Sequence, residues 1–302
     1  MLKKGSCNLD NRNRKDYQYK RPRKKHSLLL LLILLAAAAI LMHFRVIPLE
    51  WDVLSDKSLS QKSPSAGLET GAIPEETAET LQAMAAQNPK AAPILQNPGR
   101  YPERLLESLA RNPELLDFTL DYPEKKGTSA KNIDLSGKGR QGRIPLLMQW
   151  DEDWGYASYG DGIIALDGCG PTCLSMVAAG LTGNSALNPK AVAEFSEKNG
   201  YLDATGSTLW TLMSKGAKDL GLSSREVPLD ESLMAQELTK GHPIICSLRP
   251  GDFTTVGHFI VLYGYENGNF LVNDPNSKSR SAQTWSYGTL KPQIRNLWAF
   301  SA

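Results

Sequence analysis

The sequence predicts an α+β fold, a helical part followed by an antiparallel sheet, preceded by one N-terminal transmembrane helix. Three observations carry this expectation. Residues 28–42 read LLLLLILLAAAAILM, an unbroken apolar run behind a basic cluster. Helical periodicity with Pro and Asn at helix starts fills residues 74–125 and recurs from Gly170 to the Asp230 region. Strand-like runs then crowd the last sixty residues, and helices first with adjacent strands later favour an antiparallel sheet.

The N-terminus is read as a targeting or anchoring element. Of the 34 Lys and Arg in the 302-residue chain, ten lie in residues 1–26 against two acids, so the formal net charge of +2 hides a basic tail and an acidic remainder. Lys20, Arg21, Arg23, Lys24 and Lys25 precede the apolar run, the polarity of a positive-inside segment. The run alone is short of the ~20 residues a spanning helix needs. Ser27 before it and Phe44, Val46 and Ile47 after it extend it, with His43 and Arg45 placed to snorkel. The expected organisation is a cytoplasmic basic tail (1–26), a transmembrane signal anchor (27–47), a flexible Ser-rich spacer (48–73), a helical N-terminal extension (74–140) and a mixed domain (141–302). The last two would lie outside the cytoplasm, tethered to the cell membrane, or secreted if the Ala36–Ala39 stretch is cleaved. An acidic remainder makes nucleic acid an unsuitable partner.

Within the extension, Tyr101-Pro102 and Asn112-Pro113 each set Pro at a helix start, with Leu105, Leu106, Leu109, Leu115 and Leu116 on helical faces. With no His or Cys, this layer is read as scaffold. In the mixed domain, helices are expected from about Gly170 to Leu181, from Asn188-Pro189, from a Ser207 cap to about Leu220, and from an Asp230 cap. Strands are expected over Pro243–Leu248, His258–Tyr265, Phe270–Asn273 and Leu297–Phe300.

Few residues can carry chemistry. Three Cys follow the apolar run, Cys169, Cys173 and Cys246, and an odd number leaves at least one free thiol. Cys169, in Asp167-Gly168-Cys169-Gly170-Pro171, stands at a helix start, where the dipole favours an anionic sulfur. The flanking Gly168 would let a substrate approach the backbone closely. Taken alone, an inert buried thiol at a helix start is an equal reading of Cys169. Cys173, one turn on, reads as a small core hydrophobe. Four His exist, and two flank the apolar run. His242 lies in a Gly-His-Pro turn, which leaves His258 after Gly257 at the start of a strand run, the distant imidazole that a Cys/His pair requires. If Glu266-Asn267-Gly268-Asn269 closes a hairpin, the end of the second strand returns to His258. Asp274 or Asn273 would then orient the ring, only one of them by strand alternation. Gln149 is the candidate donor to an oxyanion beside the Cys169 N–H, although periodicity does not single it out. No spacing suits a zinc site, so neither metal nor cofactor is expected.

These residues resemble a known family. Ile144-Pro145-Leu146-Leu147-Met148-Gln149-Trp150-Asp151, Trp154-Gly155-Tyr156, Gly168-Cys169-Gly170-Pro171-Thr172-Cys173, Gly257-His258-Phe259 and Asn273-Asp274-Pro275 are similar, in order, to the papain-clan peptidases of cysteine family thirty-nine, which include bacteriocin-leader peptidase domains. The likeness is nearer to stand-alone "thirty-nine-like" exported bacterial proteins and covers roughly residues 100–300. It implies a papain-like fold, with Cys169 as nucleophile, His258 as general base and acid, Asp274 as orienting residue and Gln149 as oxyanion donor. The twenty positions from Gln149 to Cys169 exceed the spacing of leader peptidases. The insert over residues 151–167, with Trp154, Tyr156 and Tyr159, is a candidate lining of the substrate cleft, and Trp150, Trp154, Tyr159, Gly168 and Gly257 are the expected substrate-binding residues. The implied activity is hydrolysis of peptide bonds in a peptide or protein substrate, without metal or nucleic acid. A cell-wall peptide amidase or transpeptidase of the same clan, and a non-catalytic peptide-binding module, are the alternatives.

Overall fold

The computed structural model describes residues 73–138 and 142–302. The expected tail and anchor, and all but the last residue of the expected spacer, lie outside these residues. Among the described residues, no helix is long and apolar enough to cross a membrane.

The extension folds as helices α1 (Glu75–Gln87), α2 (Glu103–Arg111) and α3 (Leu116–Lys125), connected by a five-residue helical segment (Ala92–Gln96) and by single turns that begin at Pro89, Pro98 and Pro113. Asn112 caps the turn before α3, its side chain accepting from the Glu114 N–H. Leu105, Leu106 and Leu109 of α2 are buried with Phe118 and Tyr122 of α3. Each such side chain contributes roughly 1.5–3 kcal/mol by leaving water. This core does not close on itself, for Tyr156, Ile163 and Ala165 of the mixed domain complete it. The Phe118 and Tyr156 rings stack with centroids 4.0 Å apart, and the Tyr156 hydroxyl donates to the Phe118 carbonyl at 3.0 Å. Gly155 is required there, because a Cβ would lie 2.7 Å from the Phe118 ring.

The mixed domain opens with a two-stranded hairpin, β1 (Ser158–Tyr159) and β2 (Gly162–Ile163), which the sequence did not signal, and continues into α4 (Cys169–Thr182) and α5 (Pro189–Lys198). Gly183 closes α4 in the left-handed conformation at φ 71°, as glycine does at helix ends. The helix expected from Ser207 opens later, as a wide turn over Leu212–Gly216 running into Ala217–Asp219. Asp203 accounts for the delay: its carboxylate accepts from the Thr205 and Ser207 N–H groups at 2.8 and 2.9 Å and holds that stretch as a loop. Helix α6 (Glu231–Thr239) starts as expected, with the Asp230 side chain accepting from the Leu233 N–H.

The sheet is antiparallel throughout, in the order β3 (Ser223–Glu226), β8 (Ile294–Ser301), β4 (Ile244–Leu248), β5 (His258–Glu266), β6 (Asn269–Asn273), β7 (Thr284–Ser286). Strands β4 and β5 sit inside it, so their runs are apolar on both faces. Ile245, Phe259 and Val261 pack on α4 with Leu174, Val177 and Ala178. Ile244, Cys246, Ile260 and Leu262 pack on Met234 and Leu238 of α6. Asn267 and Gly268, at φ 51° and 77°, form the turn between β5 and β6 with the paired positive φ values that suit the sheet twist.

Candidate active site

Cys169 is the first residue of α4 and is partly exposed, whereas Cys173 and Cys246 are fully buried, and all three thiols are free. The chain can turn into the helix there because Gly168 packs on Ile164. A Cβ on Gly168 would lie 2.6 Å from both the Ile164 carbonyl oxygen and its Cγ2, and one on Gly170 would lie 2.8 Å from the Thr208 methyl. Gly168 is thus required by packing, and it is buried and lines neither cavity that Cys169 borders, which corrects its expected role as a substrate contact. Burial raises the Cys173 and Cys246 thiols above the ordinary range, with neighbouring negative charge adding to the effect at Cys173.

His258 begins β5 at the rim of the sheet and is 7% exposed. Its Nε2 bonds Asp274 Oδ1 at 2.7 Å, which leaves Nδ1 on the opposite side of the ring. Burial alone would lower the imidazole. The Asp274 charge, its hydrogen bond and the adjacent Cys169 outweigh that and raise it well above the usual range. Asp274 shows the converse: burial would raise it, but the charges of and bonds to His258 and Arg280 hold it below the ordinary carboxylate range. Arg280 was not anticipated. Its Nε donates to Asp274 Oδ2 at 2.5 Å, and its guanidinium lies 5.9 Å from the Phe253 ring centroid. The Asn273/Asp274 choice is resolved by alternation, because Asn273 Nδ2 points away and donates to the Pro145 carbonyl at 3.0 Å.

Gln149 is 3% exposed and lines the same cavity as Cys169 and His258. One amide hydrogen is committed, Nε2 donating to the Ala165 carbonyl at 2.6 Å, and the backbone N–H donates to the Pro275 carbonyl at 2.7 Å. The side-chain oxygen is buried without a partner. Two cavities meet at Cys169 and His258. The first, about 760 Å³, is walled by Leu209, Trp210, Val256, Gly257 and Arg295. The second, about 470 Å³, is walled by Gln149, Asp252, Gly257 and residues of α2 that include Arg104, Glu107 and Arg111.

A family model, that of the Peptidase_C39 like family, matches residues 142–300. The chain belongs to the Peptidase_C39 like family. Among solved structures, this C39-like chain is similar to the peptidase domain of Streptococcus ComA, a bifunctional ABC transporter involved in a quorum-sensing pathway. The identity is 20%, over 43% of this chain and 89% of that one, with a TM-score of 0.32. It is also similar to a C39-like peptidase from Bacillus anthracis, at 15% identity over 53% of this chain and 96% of that one, with a TM-score of 0.31. No curated protein matches the chain.

Three further expectations for the C39-like domain are corrected. Trp154 and Tyr159 do not line the cleft, being 0% and 1% exposed. Trp154 Nε1 donates to the Met148 carbonyl at 2.8 Å, and the Tyr159 hydroxyl bonds Ser196 and Thr208. These polar tips are satisfied inside, so both rings serve the core. Trp150 lines a separate surface depression with Phe118 and Lys278, its Nε1 donating to the Asn276 carbonyl. Gly257 alone of the expected substrate-binding residues faces the cavities.

Several cleft residues of the C39-like domain escaped sequence reading. Leu209, Trp210 and Val256 are exposed hydrophobics, 36%, 39% and 76%, gathered beside Cys169, and only their exposure in the fold marks them. The extension, read as scaffold, supplies a wall of the cleft. It is clamped beside the thiol by Arg104, whose Nη2 and Nη1 reach the two oxygens of Asp167 at 2.5 and 3.4 Å. Among the described residues no group of three His, Cys, Asp or Glu side chains converges as a metal site.

Proposed function

We propose that this chain is a cysteine peptidase acting outside the cytoplasm, with residues 27–47 as its membrane anchor. The observation that carries the reading is the position of His258, held by Asp274 at 2.7 Å and beside the Cys169 side chain, where two solvent-open cavities meet. Asp274 fixes the ring, so that the nitrogen not bonded to it can serve the thiol. The imidazolium and the amino end of α4 place positive charge around the attacking sulfur.

In the proposed reaction Cys169 Sγ forms a bond to the carbonyl carbon of a peptide link, and the C=O π pair moves to oxygen. The free amide hydrogen of Gln149 and the Cys169 N–H stabilise that oxyanion. Collapse breaks the C–N bond, the amine leaving with the His258 proton. Water then adds to the thioester, giving its proton to His258, and the C–S bond breaks to release the acid and restore Cys169.

The test is iodoacetamide labelling of the full chain at neutral pH, mapped by peptide mass spectrometry. Cys169 is expected to react much faster than Cys246, and His258→Ala is expected to remove the difference. Equal rates at the two thiols in the parent would sink the peptidase reading. Parallel digests of a casein-type substrate and purified cell wall separate a general peptidase from a wall amidase.

A further inference from the structure

Between Asp274 and Ser281 the chain makes a tight loop, and each part of it is tied. The Asp274 N–H donates to Ser281 Oγ and the Asn276 N–H to Asp274 Oδ1, both at 2.8 Å. The extension reaches into this loop from outside the 142–300 span that the family covers. Asn112 Nδ2 donates to the Asn276 carbonyl at 2.6 Å. Glu114 gathers more: Oε1 accepts from Ser277 Oγ and Ser279 Oγ at 2.8 Å each and from the Ser279 N–H at 3.1 Å, and Oε2 accepts from the Lys278 N–H at 2.8 Å. The next residue is Arg280, whose N–H bonds Ser277 Oγ at 3.2 Å and whose Nε holds Asp274.

We propose that Glu114 is a positioning residue for the active site, fixing the loop that carries Arg280 and Asp274 and so setting the orientation of His258 toward Cys169. The proposal rests on the reading of Cys169 and His258 as the reactive pair. Four hydrogen bonds converge on one carboxylate, and charge-assisted bonds of this kind are the strong ones. Burial would raise Glu114, but those bonds hold it below the ordinary carboxylate range, so the anion is the form that ties the loop at neutral pH. Without it the loop keeps, among the described residues, the Asn112 and Trp150 bonds to Asn276 and the Gln149 N–H bond to Pro275 as hydrogen-bonded links to residues before the nucleophile, and none of these holds the 277–279 stretch next to Arg280. Small displacements of an orienting group are costly in such sites.

The experiment is the pH dependence, from pH 5 to 10, of Cys169 alkylation by iodoacetamide in the full chain. Parent, His258→Ala, Asp274→Asn, Glu114→Ala and Glu114→Gln are compared. Asp274 and Cys169 touch His258, and Arg104, Glu107, Arg111, Asp167, Asp203, Asp252, Arg280 and Arg295 line the two cavities around it. None of these is altered in the Glu114 variants. Loss of the Asp274 charge beside the imidazolium moves the alkaline limb of the profile to lower pH, which Asp274→Asn calibrates.

Glu114→Ala is expected to move that limb in the same direction and to slow alkylation at pH 7 by about tenfold. Glu114→Gln, which keeps one acceptor oxygen, should fall between parent and Ala. A merely structural role would lower the unfolding midpoint and leave the limb in place, and that result overturns the proposal. Should Glu114→Ala fail to fold, Glu114→Gln and Ser279→Ala decide it by the same shift or its absence. A parent that responds to His258→Ala but not to the Glu114 variants overturns the positioning role alone. A parent indifferent to His258→Ala removes the peptidase reading and this role together.

Discussion

Arg280 grips Asp274 from the side opposite His258, Nε to Oδ2 at 2.5 Å, while Oδ1 bonds the imidazole at 2.7 Å. A fully buried carboxylate is thus compensated by two cations and cannot rotate toward either without losing the other. Replacing it by an amide leaves both cations short of a counter-charge. Asp274→Asn is expected to cost about 3–5 kcal/mol, read by urea unfolding at pH 5.5.

The pH dependence of that cost follows from the two shifts. His258 is raised in the folded state, so its contribution is complete below its unfolded value of about 6.5 and fades as pH climbs toward the raised one. Asp274 is lowered, so its contribution is present above its unfolded value of about 3.9 and fades as pH falls through the depressed one. The stability gap between parent and Asp274→Asn should be widest near pH 5–6 and narrower at pH 9. Unfolding midpoints at the two pH values check this, and a gap that widens toward pH 9 contradicts the charge assignment.

Gly168→Ala introduces a methyl 2.6 Å from the Ile164 carbonyl oxygen, a backbone atom that cannot step aside alone. The turn into α4 must shift, and Cys169 with it. A loss of about 1–3 kcal/mol is expected, with slower Cys169 alkylation than in a surface variant matched for stability.

Phe118 lies in α3, yet its ring covers Tyr156 and Gly155 of the C39-like domain. Extension and domain therefore share one core and should unfold together. Circular dichroism and tryptophan fluorescence are expected to report one coincident transition. Phe118→Ala should lower it by about 3–5 kcal/mol without splitting it.

Trp210 presents 39% of its surface beside Cys169 with Leu209 and Val256, and Arg295 lies over its ring at 5.6 Å. A peptidyl electrophile bearing a large apolar residue should gain from this wall where its glycine counterpart does not. Trp210→Ala is expected to cut the preference between the two probes by roughly tenfold, as loss of part of an apolar contact of about 1.5–3 kcal/mol would. Labelling rates with the paired probes measure it.

Much of this site was legible because its signals are local. The glycines and Pro171 around Cys169 mark a helix start, and an Asn-Gly turn between two apolar runs marks the hairpin that returns Asp274 to His258. Strand alternation allowed only one of Asn273 and Asp274 to face the ring, but which one depended on the register shift between Leu262 and Gly264. Trp154 and Tyr159 misled because their neighbours are Asp, Gly and Ser, a surface-like setting. Inside, their polar tips find a backbone carbonyl and two hydroxyls. Arg280, Glu114 and Arg104 left no trace in any pattern, since each acts through a partner on another element that only the folded path brings near.

The burial of Cys173 one turn behind Cys169 bears on oxidative chemistry. A sulfenic acid formed on an exposed cysteine is usually rescued by a second thiol that condenses with it to a disulfide. Cys173 is sealed in the core with its thiol held protonated, and Cys246 is sealed within the sheet. Neither thiol is exposed to act as a resolving partner, so disulfide rescue of an oxidised Cys169 calls for a thiol from outside the described domain, failing which a sulfenamide with a backbone nitrogen or the irreversible sulfinic acid is the outcome.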